Sequence, residues 1–485
     1  MSALARFYKE KWHKVSWSDL EKTSITEELE AEWIKITIWH SAKNINWKED
    51  VVYYTEAIPS SNPELKKSKK LEIKLLTYFQ WLWEISKSHK TIAVAWAHWK
   101  STTTSMIAIV LQELWLSPSC IVWTKVPNFW NKNYLVWTWE FLIVEACEYR
   151  ESFLELDVFW EVVLNIEAEH LDYYKTEKKY LEAFSKFEKK IPENWFLVWN
   201  KNCKNSRHLF TEEEEKISEN EKNFLRNRWK EWAKEKFNSK RFFWLNQKNL
   251  DKIPEMQIPW IHIKYDALCA ITAVEKILLA CERTEENFQL MKKIFWELKN
   301  EEENITRKNN FFGWKRFFNS KTIKNKSYKI LQRKFSWTWR RFENIWKFWD
   351  SVVISDYAHH PTEIKYTLKS ARQKFPNKKI ISIFEPHQYS RTIEMFDDFC
   401  KSFVDTDLAI IPSIYKVRDK ESDLKKTSPE ELAIWIEKYS HNWKFLDWYD
   451  KTEEFLNIAF KNSDEYVLIF MWAWDIDNLA RRVIK

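Results

Sequence analysis

Glycine is almost absent from this chain: one of the 485 residues is glycine, whereas 32 are tryptophan. A chain of this length ordinarily contains roughly 34 glycines. Trp12, Trp33 and Trp115 each follow a helical run, at the position where a glycine in left-handed conformation commonly ends a helix. We therefore interpret most of the tryptophans as glycines of the natural protein, as would arise if a reassigned stop codon were translated as tryptophan. The alternative is a truly tryptophan-rich chain, which would have few residues suited to tight turns.

Cysteines are few, and long apolar runs are absent. The six cysteines are scattered without a CxxC pair, which argues against a zinc site or a disulfide framework and favours a reducing compartment. No run of 18 apolar residues and no signal-peptide pattern occurs, so the sequence predicts a cytoplasmic protein with no membrane partner.

Charge of one sign is not concentrated. The net charge is +7, from 78 basic and 71 acidic residues that are interspersed. A nucleic-acid-binding protein more often has a clustered basic face, so we expect no nucleic-acid partner. The exception is a basic, aromatic stretch near 297–334. It is either a nucleic-acid surface or, as we favour, a solvated insertion that reflects a lysine- and asparagine-rich composition.

Helical and extended runs alternate along most of the chain, which predicts an α/β protein with parallel sheets covered by helices. The length suggests about three domains. Motif order places them at 1–88, 89–334 and 335–485, with the basic insertion in the second. A dinucleotide-type domain opens with a strand and a glycine-rich turn before its first helix. Met1 already precedes a helix, so we expect that this start is truncated and that the first strand and glycine-rich turn are missing from the sequence. The alternative is a domain that naturally lacks this strand.

The strongest motif lies between the strand TIAVA and the helix that starts near Thr102. It reads Trp96, Ala97, His98, Trp99, Lys100, Ser101, and becomes GAHGKS when glycine replaces tryptophan. Such a loop cradles phosphates with backbone amides, while its lysine meets the β- and γ-phosphates and its serine binds magnesium. The sequence therefore predicts ATP and Mg²⁺ binding here.

Polar residues also follow other apolar strands. Glu145 ends the strand FLIVEA, and His170 follows the strand that contains VVLNIEA. Side chains at the carboxyl ends of parallel strands can meet, so these two predict a magnesium site. In the third domain, His359, His387 and Arg391 follow two further strands and could bind an anionic substrate.

In this order the motifs resemble the Mur ligases of bacterial cell-wall synthesis, over nearly the whole chain. The closest similarity is to the branch that adds alanine. The motifs that carry the resemblance are AWAHWKSTTT, VEACEYRESFL, NIEAEHLD, RRFE at 340–343, DYAHHPTEI and FEPHQYSRT. Gln388, Ile263 and Ala97 depart from the family's usual arginine, asparagine and threonine, which puts amino-acid selectivity and nucleotide affinity in question.

The resemblance implies a role for each group of residues. The UDP-sugar is expected at Ser18, Asp19 and His40, and ATP at residues 96–102, which include Lys100, Ser101 and Thr102. Magnesium is expected at Ser101, Glu145 and His170. The acyl phosphate and the incoming amino acid are expected near Arg341, His359, His387 and Arg391, of which Arg341, His359 and Arg391 would act in catalysis with Lys100 and His170.

The implied reaction is ATP-driven formation of an amide bond between UDP-N-acetylmuramate and L-alanine, through an acyl phosphate. Two alternatives stay open. One is the related recycling ligase, which attaches a preformed tripeptide to the same UDP-sugar. The other takes the tryptophans literally, as an inactive relative or an aromatic-rich binding protein.

Overall fold

The computed structural model has two compact units, formed by residues 1–253 with 266–334 and by residues 254–265 with 335–485. The residues that the structure describes are 1–55, 57–95, 99–114, 116–136, 140–191, 196–200, 203–210, 241–245, 250, 253, 256, 261–281, 320–336, 338–348, 351–416, 419–439, 443–446, 448–460, 465–471 and 475–483.

Seventeen strands, numbered β1 to β17 in chain order, lie within these ranges. Their bounds are Ser16–Asp19, Lys35–Ile38, Val51–Tyr54, Lys74–Thr77, Lys90–Ala95, Ser119–Val126, Lys132–Leu135, Phe141–Ala146, Trp160–Val163, Phe196–Asn200, Arg241–Leu245, Glu343–Phe348, Ser351–Asp356, Lys379–Phe384, Leu408–Ile411, Trp443–Phe445 and Tyr466–Met471.

The α-helices of the described residues are numbered α1 to α16 in chain order. Their bounds are Ser2–Glu10, Ser24–Ala31, Pro63–Lys70, Tyr78–Ser86, Lys100–Glu113, Leu171–Tyr174, Glu177–Glu188, Ile261–Cys281, Ser320–Lys334, Pro361–Lys374, Tyr389–Glu394, Phe396–Lys401, Glu421–Leu424, Pro429–Ile436, Tyr449–Ala459 and Asp475–Val483. Short 3-10 helices span Ala42–Asn44, Pro127–Phe129 and Tyr149–Glu155.

A seven-stranded sheet organises the first unit, in the order β11-β10-β9-β5-β8-β6-β7. All the pairings are parallel except β6 with β7. The middle strand β5 is a short apolar run and is buried from Thr91 to Ala95, as expected for a strand covered on both faces. Both neighbours of β5 run parallel to it, so the segments after β5, β8 and β9 leave the sheet at the same edge.

The first 88 residues form two separate parallel pairs, β1 with β2 and β3 with β4, together with helices α1 to α4. Leu4 and Phe7 of α1 and Trp81 of α4 share one core cluster with Ala93 of β5 and Leu142 of β8. The strands are parallel, as the sequence predicts, and this segment packs directly on the seven-stranded sheet.

A six-stranded sheet organises the second unit, in the order β12-β13-β17-β14-β15-β16. Only β12 with β13 is antiparallel. Val353, Ile383 and Leu468 of three neighbouring strands are fully buried and pack with Leu456 and Ile476 of the covering helices. The α/β class with mainly parallel sheets is therefore confirmed.

Two segments differ from the sequence expectation. The run TIEMFDDFCKSF reads as one helix, but Met395 adopts φ −112° and ψ 23° and separates α11 from α12. In the basic stretch, residues 320–334 form helix α9, whose Ile323, Ser327 and Leu331 are buried. This part of the stretch thus packs into the first unit, while 297–319 lie outside the described residues. No helix of the described residues is long and apolar enough to cross a membrane.

Among the described residues, six tryptophans adopt the left-handed backbone that glycine favours. They are Trp12, Trp33, Trp39, Trp99, Trp130 and Trp448, with φ between 54° and 78°. After α1, the amide of Trp12 donates to Lys9 O and the amide of His13 donates to Tyr8 O, both at 3.0 Å. These are the paired hydrogen bonds of a helix end that usually carries glycine. The prediction of left-handed tryptophans at helix ends is confirmed at Trp12 and Trp33, and Trp115 lies outside the described residues.

Candidate functional site

The predicted phosphate loop lies between β5 and α5, at the centre of the seven-stranded sheet. Trp96, Ala97 and His98 lie outside the described residues. Trp99 precedes α5 with φ 61° and ψ 20°, a conformation that costs a residue with a side chain about 1–2 kcal/mol. Lys100 and Ser101 form the first turn of α5, and the buried Thr102 Oγ1 has no hydrogen-bond partner among the described residues. The hydroxyl groups of Ser101 and Thr102 therefore lie at a helix N-terminus, where anions bind.

Lys100 forms a buried ion pair with Glu148, which follows β8. Its Nζ donates to the two carboxylate oxygens at 3.1 and 2.9 Å. Burial alone would lower the pKa of Lys100, but the carboxylates of Glu148 and Glu169 raise it overall. Burial would likewise raise the pKa of Glu148, but Lys100 and His170 lower it. Both partners are thus charged, and the ammonium group is held beside the start of α5.

Three potential metal ligands meet at the same place. One ligand atom each from Glu148, Glu169 and His170 lie within 4.8 Å of one another, and both carboxylates are buried. His170 Nε2 lies 3.3 Å from Glu148 Oε1. The predicted ligand Glu145 is not in this cluster, because its Oε1 accepts the amide of Trp123 on the neighbouring strand at 2.7 Å. Of this cluster, the sequence reasoning selected His170 but not Glu148 or Glu169, although both are acidic residues that follow strands.

A second polar cluster joins the ends of β1 and β2 to helix α3. Ser18 Oγ donates to Glu64 Oε2 at 2.7 Å, and His40 Nδ1 lies 3.0 Å from the same oxygen. Asn44 Nδ2 donates to the other oxygen at 2.6 Å. The predicted residues Ser18 and His40 are therefore brought together by Glu64, which the sequence reasoning did not select. The carboxylate of Asp19 instead accepts the amide of Leu20 at 2.8 Å.

The second unit carries its own cluster, after β13 and at the start of α10. Arg341 Nη1 donates to Glu363 Oε1 at 3.0 Å. The other oxygen, Oε2, accepts the backbone amide of His359 at 2.9 Å and lies 3.1 Å from its Nδ1. Two of the predicted residues, Arg341 and His359, therefore share one buried carboxylate that the sequence reasoning did not select.

Asp356 ends β13 next to this cluster. Its two carboxylate oxygens accept the amides of Phe342 and Ala358, both at 2.7 Å. Burial raises the pKa of Asp356 to about 7, although Arg341 acts in the opposite direction. The loop of Arg341 is thus tied to the strand end by a carboxyl group that titrates near neutrality.

His387 and Arg391 follow the next strand, β14. The His387 ring stacks on Tyr415, with 5.9 Å between ring centroids. Arg391 lies on α11, and its buried Nη1 has no hydrogen-bond partner among the described residues. Burial raises the pKa of Tyr357, whereas the positive charges of Arg341 and Arg391 lower it. Arg341 and Arg391 thus act on the same phenol group.

The first unit has a lysine and hydroxyl groups at a helix N-terminus after a central parallel strand. Acidic and imidazole groups lie at the adjoining strand ends. These features define a nucleotide-dependent phosphoryl-transfer enzyme. Three family models match the chain: the Mur ligase family catalytic domain at 1–90, the Mur ligase middle domain at 98–274, and the Mur ligase glutamate ligase domain at 340–470. The chain belongs to the Mur ligase family.

Curated relatives match along almost the full chain. The UDP-N-acetylmuramate–L-alanine ligase of Clostridium kluyveri is 34% identical, over 98% of this chain and 93% of the relative. The enzyme of the same name from Clostridium novyi is 31% identical, over 100% and 95%. Among solved structures, the UDP-N-acetylmuramate-alanine ligase of Thermotoga maritima aligns with a TM-score of 0.68 at 20% identity, over 100% of this chain and 95% of that one. This structural similarity supports the fold.

Proposed function

We infer that this chain is an ATP-dependent ligase that joins L-alanine to UDP-N-acetylmuramate in the synthesis of peptidoglycan precursors. Relatives named for this reaction match it over almost its whole length. The observation that carries the proposal is the Lys100–Glu148 pair at the start of α5, with Glu169 and His170 beside it.

The reaction has two steps. A carboxylate oxygen of the muramate attacks the γ-phosphorus of ATP, the bond to the β-phosphate oxygen breaks, and ADP leaves. The amine of alanine then attacks the resulting acyl phosphate, loses a proton, and displaces inorganic phosphate. Because such transfers depend on positioning and charge neutralisation, the role we assign to Lys100 is to pair with the transferring phosphate.

We propose Glu148, Glu169 and His170 as the residues that would hold magnesium, with Ser101 nearby on α5. Carboxylate and hydroxyl oxygens are the ligands that this ion prefers. Bound magnesium would neutralise charge on the phosphate oxygens. Glu148 takes the place of the sequence-based choice Glu145, whose carboxylate is engaged by a backbone amide of the sheet.

The residues that would bind the other parts of the substrates are assigned by their charge and their position in the fold. We propose that Ser18, His40 and Glu64 contribute to the UDP-sugar site, with Asp19 beside them. We propose that Arg341, His359, His387 and Arg391 face the acyl phosphate and the carboxylate of alanine. The buried Nη1 of Arg391 supports this assignment, because it has no hydrogen-bond partner among the described residues and an unsatisfied buried donor is costly.

A working phosphate loop also needs glycine. Backbone amides can surround a phosphate only where side chains do not intervene, and Trp99 already has the left-handed backbone of a glycine. We propose that the natural protein has glycine at 96 and 99.

The test is phosphate release from ATP in the presence of UDP-N-acetylmuramate, using protein isolated from its source or a chain with glycine at 96 and at the left-handed tryptophan positions, which include 99. We expect release that depends on L-alanine. Lys100→Met should lower the rate by about 100-fold or more, because it removes the positive charge that pairs with the transferring phosphate.

Lys90→Met is the matched control, because Lys90 pairs with Glu140 at 2.6 Å at the opposite end of β5. This variant should keep the rate. Release that depends on a murein tripeptide and not on alanine would indicate the recycling reaction, and no release under any condition would contradict the ligase assignment.

A further inference from the structure

Glu363 is a buried carboxylate to which the site assignment gives no role. It is 1% exposed and occupies the third position of α10, within the first turn after the helix cap His360. A glutamate at this position commonly accepts the amide of the cap residue, and Glu363 does so at 3.3 Å from the amide of His360. Its other contacts go beyond capping.

The two carboxylate oxygens of Glu363 serve two different partners. Oε1 accepts from the guanidinium of Arg341 at 3.0 Å, and Oε2 accepts the backbone amide of His359 at 2.9 Å. A capping role requires neither contact. One side chain therefore fixes the guanidinium of Arg341 and the backbone of His359 relative to each other.

The ring of His359 is fixed as well. Its Nδ1 lies 2.9 Å from the carbonyl oxygen of Tyr357 and 3.1 Å from Glu363 Oε2. Both neighbours can only accept, so Nδ1 carries the proton and a neutral ring has its lone pair at Nε2. The adjacent His360 has the opposite arrangement, because its Nδ1 accepts the amide of Thr362 at 3.2 Å. Two consecutive histidines are thus held in different tautomers.

We propose that Glu363 is a positioning residue for the second step of the reaction. It holds Arg341 as a fixed positive charge for the acyl phosphate and holds His359 with an accepting Nε2, which suits the ammonium group of the incoming alanine. Glu363 acts through these two residues and does not itself contact the substrate. This inference rests on the proposed ligase function.

The test compares Glu363→Gln with Asp407→Asn in the full-length, glycine-containing chain that shows alanine-dependent phosphate release. Glutamine keeps the size of the side chain but replaces one acceptor oxygen with a donor group and removes the charge. Asp407 is the matched control, because it also pairs with an arginine, Arg372, at 2.6 Å. It precedes β15 and so lies at the amino-terminal end of a strand, whereas Glu363 lies in the helix that follows the carboxyl end of β13. Both variants lose one arginine–carboxylate pair of the second unit.

We expect Glu363→Gln to lower kcat for alanine-dependent phosphate release by about 10- to 100-fold, as for other residues that orient active-site groups. KM for ATP should stay unchanged, because the proposed nucleotide groups lie in the first unit. Asp407→Asn should keep kcat, and Glu363→Asp should recover part of the rate because it retains the charge.

A spectroscopic readout separates positioning from general destabilisation. The ring ¹⁵N resonances of His359, assigned by their loss in His359→Asn, should shift in Glu363→Gln and not in Asp407→Asn. Unchanged His359 resonances, or equal losses of kcat in both variants, would overturn the proposal. Absence of alanine-dependent release in the unmodified protein would instead contradict the ligase function, and the resonances would still report on Glu363.

Discussion

Replacing the exposed left-handed tryptophans with glycine should stabilise this chain. Trp12, Trp33, Trp39 and Trp130 in the first unit have φ between 54° and 78°, and each is at least two-thirds exposed. Left-handed backbone costs a residue with a side chain about 1–2 kcal/mol, and glycine avoids this cost. Glycine also loses more chain entropy on folding, which reduces the gain at each position by about 0.5–1 kcal/mol. Little burial is lost, so the four substitutions together should raise the free energy of unfolding by about 3 kcal/mol.

The assay is urea unfolding of the fourfold variant and of the unsubstituted chain, monitored by the circular dichroism signal of the helices. A gain of this size is a large share of the stability of a typical domain, about 5–15 kcal/mol, and should move the midpoint clearly. Trp47→Gly is the control, because Trp47 is 77% exposed but is not among the left-handed residues. We expect this variant to be slightly less stable, by about 0.5–1 kcal/mol. A fourfold variant that gains nothing, or gains no more than Trp47→Gly, would refute the reasoning.

Three further outcomes are expected. Peptide mass spectrometry of the natural protein should find glycine at position 12 but tryptophan at position 81, because Trp81 is fully buried against Phe7. Glu148→Gln should raise the magnesium concentration needed for half-maximal activity by about 10-fold or more, whereas Glu145→Gln should not. Burial raises the pKa of Asp356 from 3.8 to about 7. The protonated carboxyl group therefore contributes its full stabilisation below pH 3.8, and this stabilisation is lost as the pH rises through about 7. Urea midpoints at about pH 5 and about pH 8 should therefore show the unmodified chain losing stability relative to Asp356→Asn, by at most about 1.4 kcal/mol per pH unit. Tryptophan at position 12, equal magnesium requirements, or parallel pH profiles would contradict the respective prediction.

Much of the fold follows from short-range patterns in the sequence. Apolar runs such as 91–95 and 141–146 are buried parallel strands because both faces of the sheet are covered. Lys100 was predicted from its place after such a strand, and the structure puts it at the start of α5. The break at Met395 was missed, since no proline or glycine marks it.

The sequence alone could not decide which glutamate after β8 lies beside Glu169 and His170. Glu145 and Glu148 are three residues apart, and both are near the end of β8. The strand continues through Ala146, so Glu145 stays inside the sheet and satisfies an amide of β6. Glu148 lies beyond the last paired residue and can turn toward Lys100. Which residue ends the pairing depends on the neighbouring strands, and that information is nonlocal.

The left-handed turn at Trp12 also bears on how the gene can move between organisms. Position 12 is the first tryptophan in the chain. If a reassigned stop codon encodes it, a cell with the standard code would end translation after residue 11 and make little more than α1. Leu4 and Phe7 of that fragment pack against residues from 78 onwards, so the fragment has nothing to fold against. With such a codon at this helix end, the working gene would be confined to hosts that share its genetic code.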